Sequence, residues 1–401
     1  MFQSRHSITL LFNANKVYDR QVIEGIGHYL QTSKVDWDIY LEEDFLTRLE
    51  NINDWAGDGI IADFDDAEIR TALADLTVPV IGIGGSYQDK NDYPSGPYVA
   101  TDNLAVVDAA YNHLKQKGLE QFAYYGLPHD KDHRWSEERE KAISELTKQD
   151  GYNCQVYLGH NTSPDTWQYS MNRLADWIQS LPKPIGIVAV TDSRARHLLQ
   201  ACDHLGIAVP DQISIVGIDN DDIARYLSRI SLSSVTQGCF EMGYKAAKFL
   251  HRKLDGIEIK NNIIKVPPTG VAERQSSDFK ALNDPHVIQA MQFIRQNACR
   301  GIKVDQVTDY VGISRSNLEN RFVAERGHSI HTELHNEKLA RACKMLKETS
   351  VPTKEVACIC GYPSLQYMYA IFKKHFDVTP TQFRDNHNKN KVASLAYEHE
   401  F

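Results

Sequence analysis

Residues 7–42 read SITLLFNANKVYDRQVIEGIGHYLQTSKVDWDIYLE, and this stretch carries the pattern that decides most of the fold. Ser7 to Phe12 is a short apolar run. From Asp19 to Gln31, Val22, Ile23, Ile26 and Leu30 recur at helical spacing, and WDIYLE (37–42) is strand-like again, so the stretch predicts strand, helix, strand. The unit repeats outward. GIIADF (59–64) and VPVIGIGG (78–85) follow; YVATDN (98–103) precedes a helix at Leu104–Lys117, and FAYYGL (122–127) one at Arg134–Gln149. IGIVAVTD (185–192), ISIVGIDN (213–220) and SLSSV (231–235) continue the rhythm. Short β-branched runs bounded by Gly, Pro and Asp, alternating with helical patterns, predict an α/β fold with doubly wound parallel sheets. So many units suit two lobes better than one sheet. From Thr269 to Pro285 the text turns polar and aperiodic, which predicts a linker.

A chain of 401 residues and 45.5 kDa exceeds a single hydrophobic core. With 42% hydrophobic and 24% charged residues it is not a disordered or fibrous sequence. No uncharged apolar run approaches the roughly 20 residues of a membrane span. The run Ile8–Phe12 is too brief for a secretory signal, so the expected compartment is the cytoplasm. Seven scattered Cys suggest free thiols, and Cys358 and Cys360 form C-x-C, not the C-x-x-C of zinc or redox sites, so no metal and no cofactor are expected. The net charge of −9 is unevenly spread: residues 284–401 hold 16 Lys and Arg against 13 Asp and Glu, whereas residues 1–283 are strongly acidic. An acidic body joined to a mildly basic module is compatible with a polyanion partner for the latter.

After residue 285 every pattern is helical: Val287–Ala298, Val304–Val311, Ser316–Glu325, Ile330–Lys347, Thr353–Cys358 and Leu365–His375. Two segments, VDQVTDYVGISRSNLENRF (304–322) and TKEVACICGYPSLQYMYAIF (353–372), share one plan of helix, turn opened by Gly, and helix. Aligning Gly312 with Gly361 and allowing one extra residue in the second turn brings Ser314 against Ser364 as N-caps, Leu318 against Met368, and Phe322 against Phe372 on the inner face. This is a helix-turn-helix twice over. Recognition helices spaced about one DNA turn apart would enter successive major grooves on one face. A helical module of this kind that recruits a protein instead of DNA is the alternative.

In the body, acidic residues follow the apolar runs: Asp63, Asp65 and Asp66, then Asp102, Asp192 and Asp219. Open α/β folds bind ligands beyond the carboxyl ends of their strands, where these groups fall. Carboxylates accept hydroxyl hydrogens, amides and Arg donate, and an aromatic face covers C–H groups, a set suited to a polyhydroxylated neutral ligand. Asp at a strand end also caps the next helix, and for Asp102 capping is the favoured reading. Gly82-Ile83-Gly84-Gly85 lacks the full dinucleotide fingerprint, and neither a P-loop nor a G-x-S-x-G elbow occurs. Nothing selects a nucleophile for glycosidase chemistry, so the chain is not read as an enzyme.

The helical module, with GYPSLQYMYAIFKKHFDVTPTQFR at 361–384, resembles the AraC/XylS family of transcription regulators. That resemblance implies DNA contacts from Arg315, Ser316, Asn317, Asn320 and Arg321 on the first recognition helix. On the second it implies Ser364, Gln366, Tyr367 and Tyr369, with Lys373, Lys374 and Arg384 as phosphate clamps. From about Ile8 to Gln275 the body resembles the LacI and periplasmic sugar-binding protein family, through DGIIADF, YVATDN, RWSEERE, VAVTDSRA, GIDN and SSVTQGCFEMGYKAA. Matched residue by residue, this implies a pocket of Asn13, Asp65 or Asp66, Trp135, Arg139, Asp192, Asp219 and Gln237. The two resemblances together imply a sugar-binding sensor at 1–275, a linker at 276–284, a DNA-binding domain at 285–390 and a tail at 391–401. The resemblance carried by this order of sensor and helical module, with ITLLFNANK, DRQV and GISRSNLE, further implies a homodimeric activator with D-xylose as effector and with promoter DNA and RNA polymerase as partners; a regulator of the same architecture responding to another sugar is the alternative.

Overall fold

In the computed structural model the apolar runs become the central strands of two parallel sheets. Residues 5–41, 49, 52, 57–129, 133–258, 262–279, 282 and 284–387 are described. The first sheet is built from β1 (His6–Leu11), β2 (Trp37–Leu41), β3 (Gly59–Asp63), β4 (Val80–Gly85) and β5 (Tyr98–Thr101). The second takes β6 (Phe122–Gly126), β7 (Cys154–Leu158), β8 (Ile185–Ala189), β9 (Ile213–Ile218) and β10 (Ser233–Thr236). The chain then returns to the first sheet as β11 (Ile263–Val266) and to the second as β12 (Gly270–Ala272), giving the orders β11-β5-β4-β3-β1-β2 and β12-β10-β9-β8-β6-β7. Strands buried on both faces, such as β3, β6, β8 and β9, read as continuous apolar runs because helices cover both sides.

Among the described residues the helices of this body are α1 (Val17–Thr32), α2 (Ala67–Leu73), α3 (Asn103–Gln116), α4 (Arg134–Gln149), α5 (Trp167–Ser180), α6 (Asp192–Leu205), α7 (Asp222–Leu227) and α8 (Cys239–Leu254). α3 and α4 pack on the second sheet, whereas α8 packs with α1 on the first. The chain therefore passes between the lobes three times: from β5 into α3, from β10 into α8, and from β11 into β12. α1 and α8 approach so closely that a Cβ on Gly25 or Gly243 would lie 1.9 Å from the carbonyl oxygen of Phe240 or Val22 respectively. Only glycine fits at that crossing.

Within the expected doubly wound fold, two details differ from the sequence reading. The second sheet is not wholly parallel, because β12 pairs antiparallel with β10. The polar text at Thr269–Pro285 is not all linker either. Ser276 accepts from the Ser233 amide at 2.8 Å and donates to the Ile215 carbonyl at 2.6 Å, Ser277 bonds Ser233 at 2.7 Å, and Phe279 is buried in the core of the second lobe. Buried serines with paired hydroxyls, Ser276 to backbone and Ser277 to the side chains of Ser233 and His113, leave no apolar period to read. The expected tail, 391–401, lies outside the described residues.

Contacts divide the chain into two compact units, Met1–Ala281 and Leu282–Phe401. The second unit comprises α9 (Pro285–Asn297), α10 (Val304–Val311), α11 (Arg315–Arg326), α12 (Ile330–Glu348), α13 (Thr353–Ile359) and α14 (Leu365–Phe376), with a 3-10 turn at Ala298–Arg300. It has two small cores. Ile330 and Leu334 of α12 close the first around Leu318 and Phe322, and Ala342, Met345 and Leu346 of the same helix close the second around Met368 and Phe372. One long helix thus holds two helix-turn-helix units. Among the described residues no helix is long and apolar enough to cross a membrane.

Candidate ligand cleft and nucleic-acid interface

The carboxyl ends of both sheets carry the predicted acidic groups. In the first lobe Asp63 ends β3, accepts from the Asp65 amide at 2.9 Å and pairs with Lys16 at 3.3 Å. Beside it Asp19 accepts the Asn13 amide at 2.6 Å, while its other carboxyl oxygen is buried without a hydrogen-bond partner. Burial, followed by the charge of Asp63, pushes the Asp19 carboxyl up to about 8; burial lifts Asp63 to about 6 against the pull of Lys16. Asp65 receives the Gly85 amide at 2.9 Å and the Arg134 guanidinium at 3.2 Å. Asp66 caps α2: its side chain accepts from the amides of Glu68 and Ile69, as a short carboxylate before a helix does. Asp102 caps α3 through the Ala105 amide, as read from the sequence.

In the second lobe Arg139 is the hub. Its Nε donates to Asn103 Oδ1 at 2.9 Å, one Nη to the Val190 carbonyl at 2.8 Å and the other to Gln237 Oε1 at 2.9 Å. The guanidinium lies over the Trp135 ring, 4.7 Å from its centroid. Gln237 passes the connection on, donating to Asp219 Oδ1 at 2.7 Å. Asp219 stands at φ +116°, a conformation side chains rarely adopt, so the loop after β9 is held against its own preference. The holder is Asp192, whose carboxylate accepts Ser234 Oγ at 2.6 Å and the Asp221 amide at 2.7 Å. Burial raises both carboxyls, Asp219 to about 7 despite Arg139; the charge of Asp219 adds to the upward push on Asp192. Gln21 of α1 reaches across from the first lobe to the Asp219 carbonyl at 3.2 Å.

The structure brings together Arg139, Gln237, Asp219 and Asp192, places Asn13 beside the Asp19–Asp63 pair, and uses Trp135 as a platform under Arg139. The sequence reading missed Arg134, Glu138, Asn103 and Lys16. A signal for two of them was present: in RWSEERE, Arg134 and Glu138 are four apart like Trp135 and Arg139, so both pairs share neighbouring faces of α4.

In the helical unit, Ser314 caps α11 through the Asn317 amide and Ser364 caps α14 through the Tyr367 amide. Gly312 and Gly361 both take left-handed φ, +77° and +68°. Leu318, Phe322, Met368 and Phe372 are fully buried, so opposite faces of both helices turn outward. Ser316, Asn317, Asn320, Arg321, Gln366, Tyr367, Lys373 and Lys374 are exposed. Several already have protein partners: Arg315 pairs with Asp305 at 2.9 Å, Arg321 bridges Asn317 at 2.8 Å and Asp284, Tyr369 bonds Thr381 at 3.0 Å, and Lys373 donates to the Asp377 carbonyl at 3.1 Å. Arg384 departs from the expected phosphate clamp. Its guanidinium donates to the carbonyls of Leu346 and Val351, tying down the end of α12, because carbonyls there lack intrahelical partners.

Carboxylates and amides gathered at the strand ends of two α/β lobes, carried with tandem recognition helices, define a ligand-responsive DNA-binding transcription regulator. Comparison with known proteins agrees. Family models match as XylR N-terminal domain over residues 7–104, periplasmic binding protein-like domain over 111–277 and helix-turn-helix domain over 307–386. The chain is 56% identical over 385 residues to the xylose operon regulatory protein of Escherichia coli K12, covering 96% of this chain and 98% of that one. To the protein of that name from Haemophilus influenzae it is 50% identical over 96% of this chain and the full length of the relative. A solved structure of the xylose-binding transcription activator XylR superposes with a TM-score of 0.89 at 55% identity, covering 96% and 99% of the two chains. The chain belongs to the xylose operon regulatory protein family, whose members are transcription regulators and not enzymes.

Proposed function

We propose that this chain is the D-xylose-dependent activator of xylose uptake and catabolism genes, acting in the cytoplasm as a homodimer that engages promoter DNA and RNA polymerase. The observation that carries the sugar reading is the buried chain of side-chain hydrogen bonds Asn103–Arg139–Gln237–Asp219 at the strand ends, a row of donors and acceptors fixed in advance. In this reading Arg139 and Asn13 donate to sugar oxygens, Asp219 accepts from hydroxyls, Trp135 covers a C–H face, and Asp192 and Gln237 hold the others in place. The choice of xylose rests on the names of the relatives.

Dimerisation is supported by α7, where Ile223, Tyr226 and Leu227 are 56%, 56% and 66% exposed, an apolar patch suited to a second copy. For DNA, Ser316, Asn317, Asn320, Gln366 and Tyr367 read bases, while Lys374 and the cationic ends of Arg315, Arg321 and Lys373 meet phosphates once their protein partners yield. In this reading the DNA-binding domain spans 285–390 and the sensor runs through Phe279. Titration calorimetry against a panel of pentoses and hexoses tests the sensor: heat with D-xylose and little with arabinose, ribose or glucose is expected, and no heat with any sugar refutes it. A gel shift on promoter DNA, with and without D-xylose and across salt concentrations, tests the other half.

A further inference from the structure

Arg134 opens α4, a helix packed by Ala142 and Ile143 into the core of the second lobe, yet its guanidinium lies among groups of the first. It donates to the carbonyls of Gly85, at 3.1 Å, and Ser86, and to Asp65 Oδ1 at 3.2 Å, and it stacks 3.6 Å from the centroid of the Tyr87 ring. Tyr98 of β5 also donates to the Gly85 carbonyl, at 2.9 Å, fixing that acceptor. One turn along α4, Glu138 receives Arg134, the Ser86 hydroxyl at 3.3 Å and Asn103 Nδ2 at 2.9 Å. Asn103 is in turn the acceptor for Arg139. First-lobe backbone is thereby connected, side chain by side chain, to the hub of the second lobe.

We propose that Arg134 is an interlobe clasp: it draws the sensor closed through protein groups alone and sets sugar affinity by biasing the closed state, without itself touching sugar. The inference rests on reading the cleft as the sugar site. It also assigns Asp65 as the partner of the clasp, since its two oxygens receive Arg134 and the Gly85 amide. Arginine is required because a planar fork serves four acceptors, the carbonyls of Gly85 and Ser86 and the carboxylates of Asp65 and Glu138, and a ring face together, which the point charge of lysine does not. Sugar affinity scales with the fraction of sensor already closed, so a clasp that stabilises closure tightens binding from a distance.

The test uses the full-length protein with spin labels introduced through an unnatural amino acid at exposed Lys90, in the first lobe, and Lys148, in the second. Interlobe distances are measured without sugar for wild type, Arg134→Gln, Arg134→Lys and Asp65→Asn. All three variants are expected to populate longer distances than wild type. D-xylose affinity by calorimetry falls about tenfold for Arg134→Gln, and saturating D-xylose restores the wild-type distance. Identical sugar-free distances in wild type and Arg134→Gln overturn the clasp. So does binding that saturating D-xylose fails to recover, which means that Arg134 contacts the sugar. A distance shift without heat from any sugar retains the clasp and refutes the sugar reading instead.

Discussion

Asp19 combines full burial, one amide donor and an orphaned oxygen, an environment that suits a neutral carboxyl better than a carboxylate. With its folded pKa near about 8 and an ordinary unfolded value of about 3.9, the folded state holds the extra proton between those limits. Stability is therefore full at low pH with respect to this group and falls as pH rises through that window. Asp63, Asp192 and Asp219 are raised too and act in the same direction. Burial lowers His113, His197 and His335, which opposes this below about pH 6.5, so thermal melts at constant ionic strength should show the melting temperature declining from about pH 6.5 to pH 8. A carboxamide has no proton to lose in this range, so Asp19→Asn should flatten that decline; a slope equal to wild type refutes the assignment. At Asp219 the prediction concerns binding. Asp219→Ala strips Gln237 of its acceptor and Arg139 of its nearby charge, so sugar affinity should drop by about 3 kcal/mol, roughly a hundredfold, with sugar-independent DNA binding retained. Calorimetry and a gel shift on the same preparation separate the two.

Among the elements, the paired helix-turn-helix units offer a controlled contrast between two glycines of similar φ. A Cβ on Gly312 meets nothing within 4 Å, whereas one on Gly361 would lie 2.5 Å from the Cys299 carbonyl oxygen. Gly312→Ala should thus cost only the left-handed strain, about 1–2 kcal/mol, while Gly361→Ala adds a backbone clash that must push the second unit off the first. Urea titration by circular dichroism ranks them; equal losses contradict the close approach. Gln366→Ala, on the outer face of α14, should weaken promoter binding with D-xylose affinity unchanged, as a gel shift and calorimetry together report. These elements were legible because Gly, Ser cap and apolar residues four apart are local signals. The alternation of strands and helices was legible for the same reason. The antiparallel β12, the buried Ser276–Ser277 turn and the inward Arg384 were not, since each depends on partners some 40 residues distant that carry no periodicity. In the cleft, the strand-end aspartates announced themselves by position, and Arg139 through the family resemblance of RWSEERE. Arg134, Glu138 and Asn103 act through contacts between lobes, which spacing along one chain does not display.

For the whole molecule, the two compact units have separate cores, so sugar and DNA bind to bodies that each fold around their own apolar residues. Ligand bound only by the native sensor stabilises that unit by mass action, about 2.7 kcal/mol at a hundred times its dissociation constant. Scanning calorimetry of the full chain should accordingly show D-xylose moving the sensor transition and leaving that of the helical unit in place. Regulation demands more than two independent bodies: the sugar must change the affinity for promoter DNA. Linkage makes that change reciprocal, because the coupling free energy is one quantity seen from either site. If D-xylose tightens promoter binding tenfold, protein saturated with promoter DNA must bind D-xylose tenfold more tightly than free protein. The decisive measurement is therefore a calorimetric titration of D-xylose into the protein with and without a saturating promoter fragment, set beside the gel shift with and without sugar. Equal factors in the two directions establish an allosteric activator. Sugar affinity indifferent to DNA means that sensing and DNA binding share a chain without sharing an equilibrium.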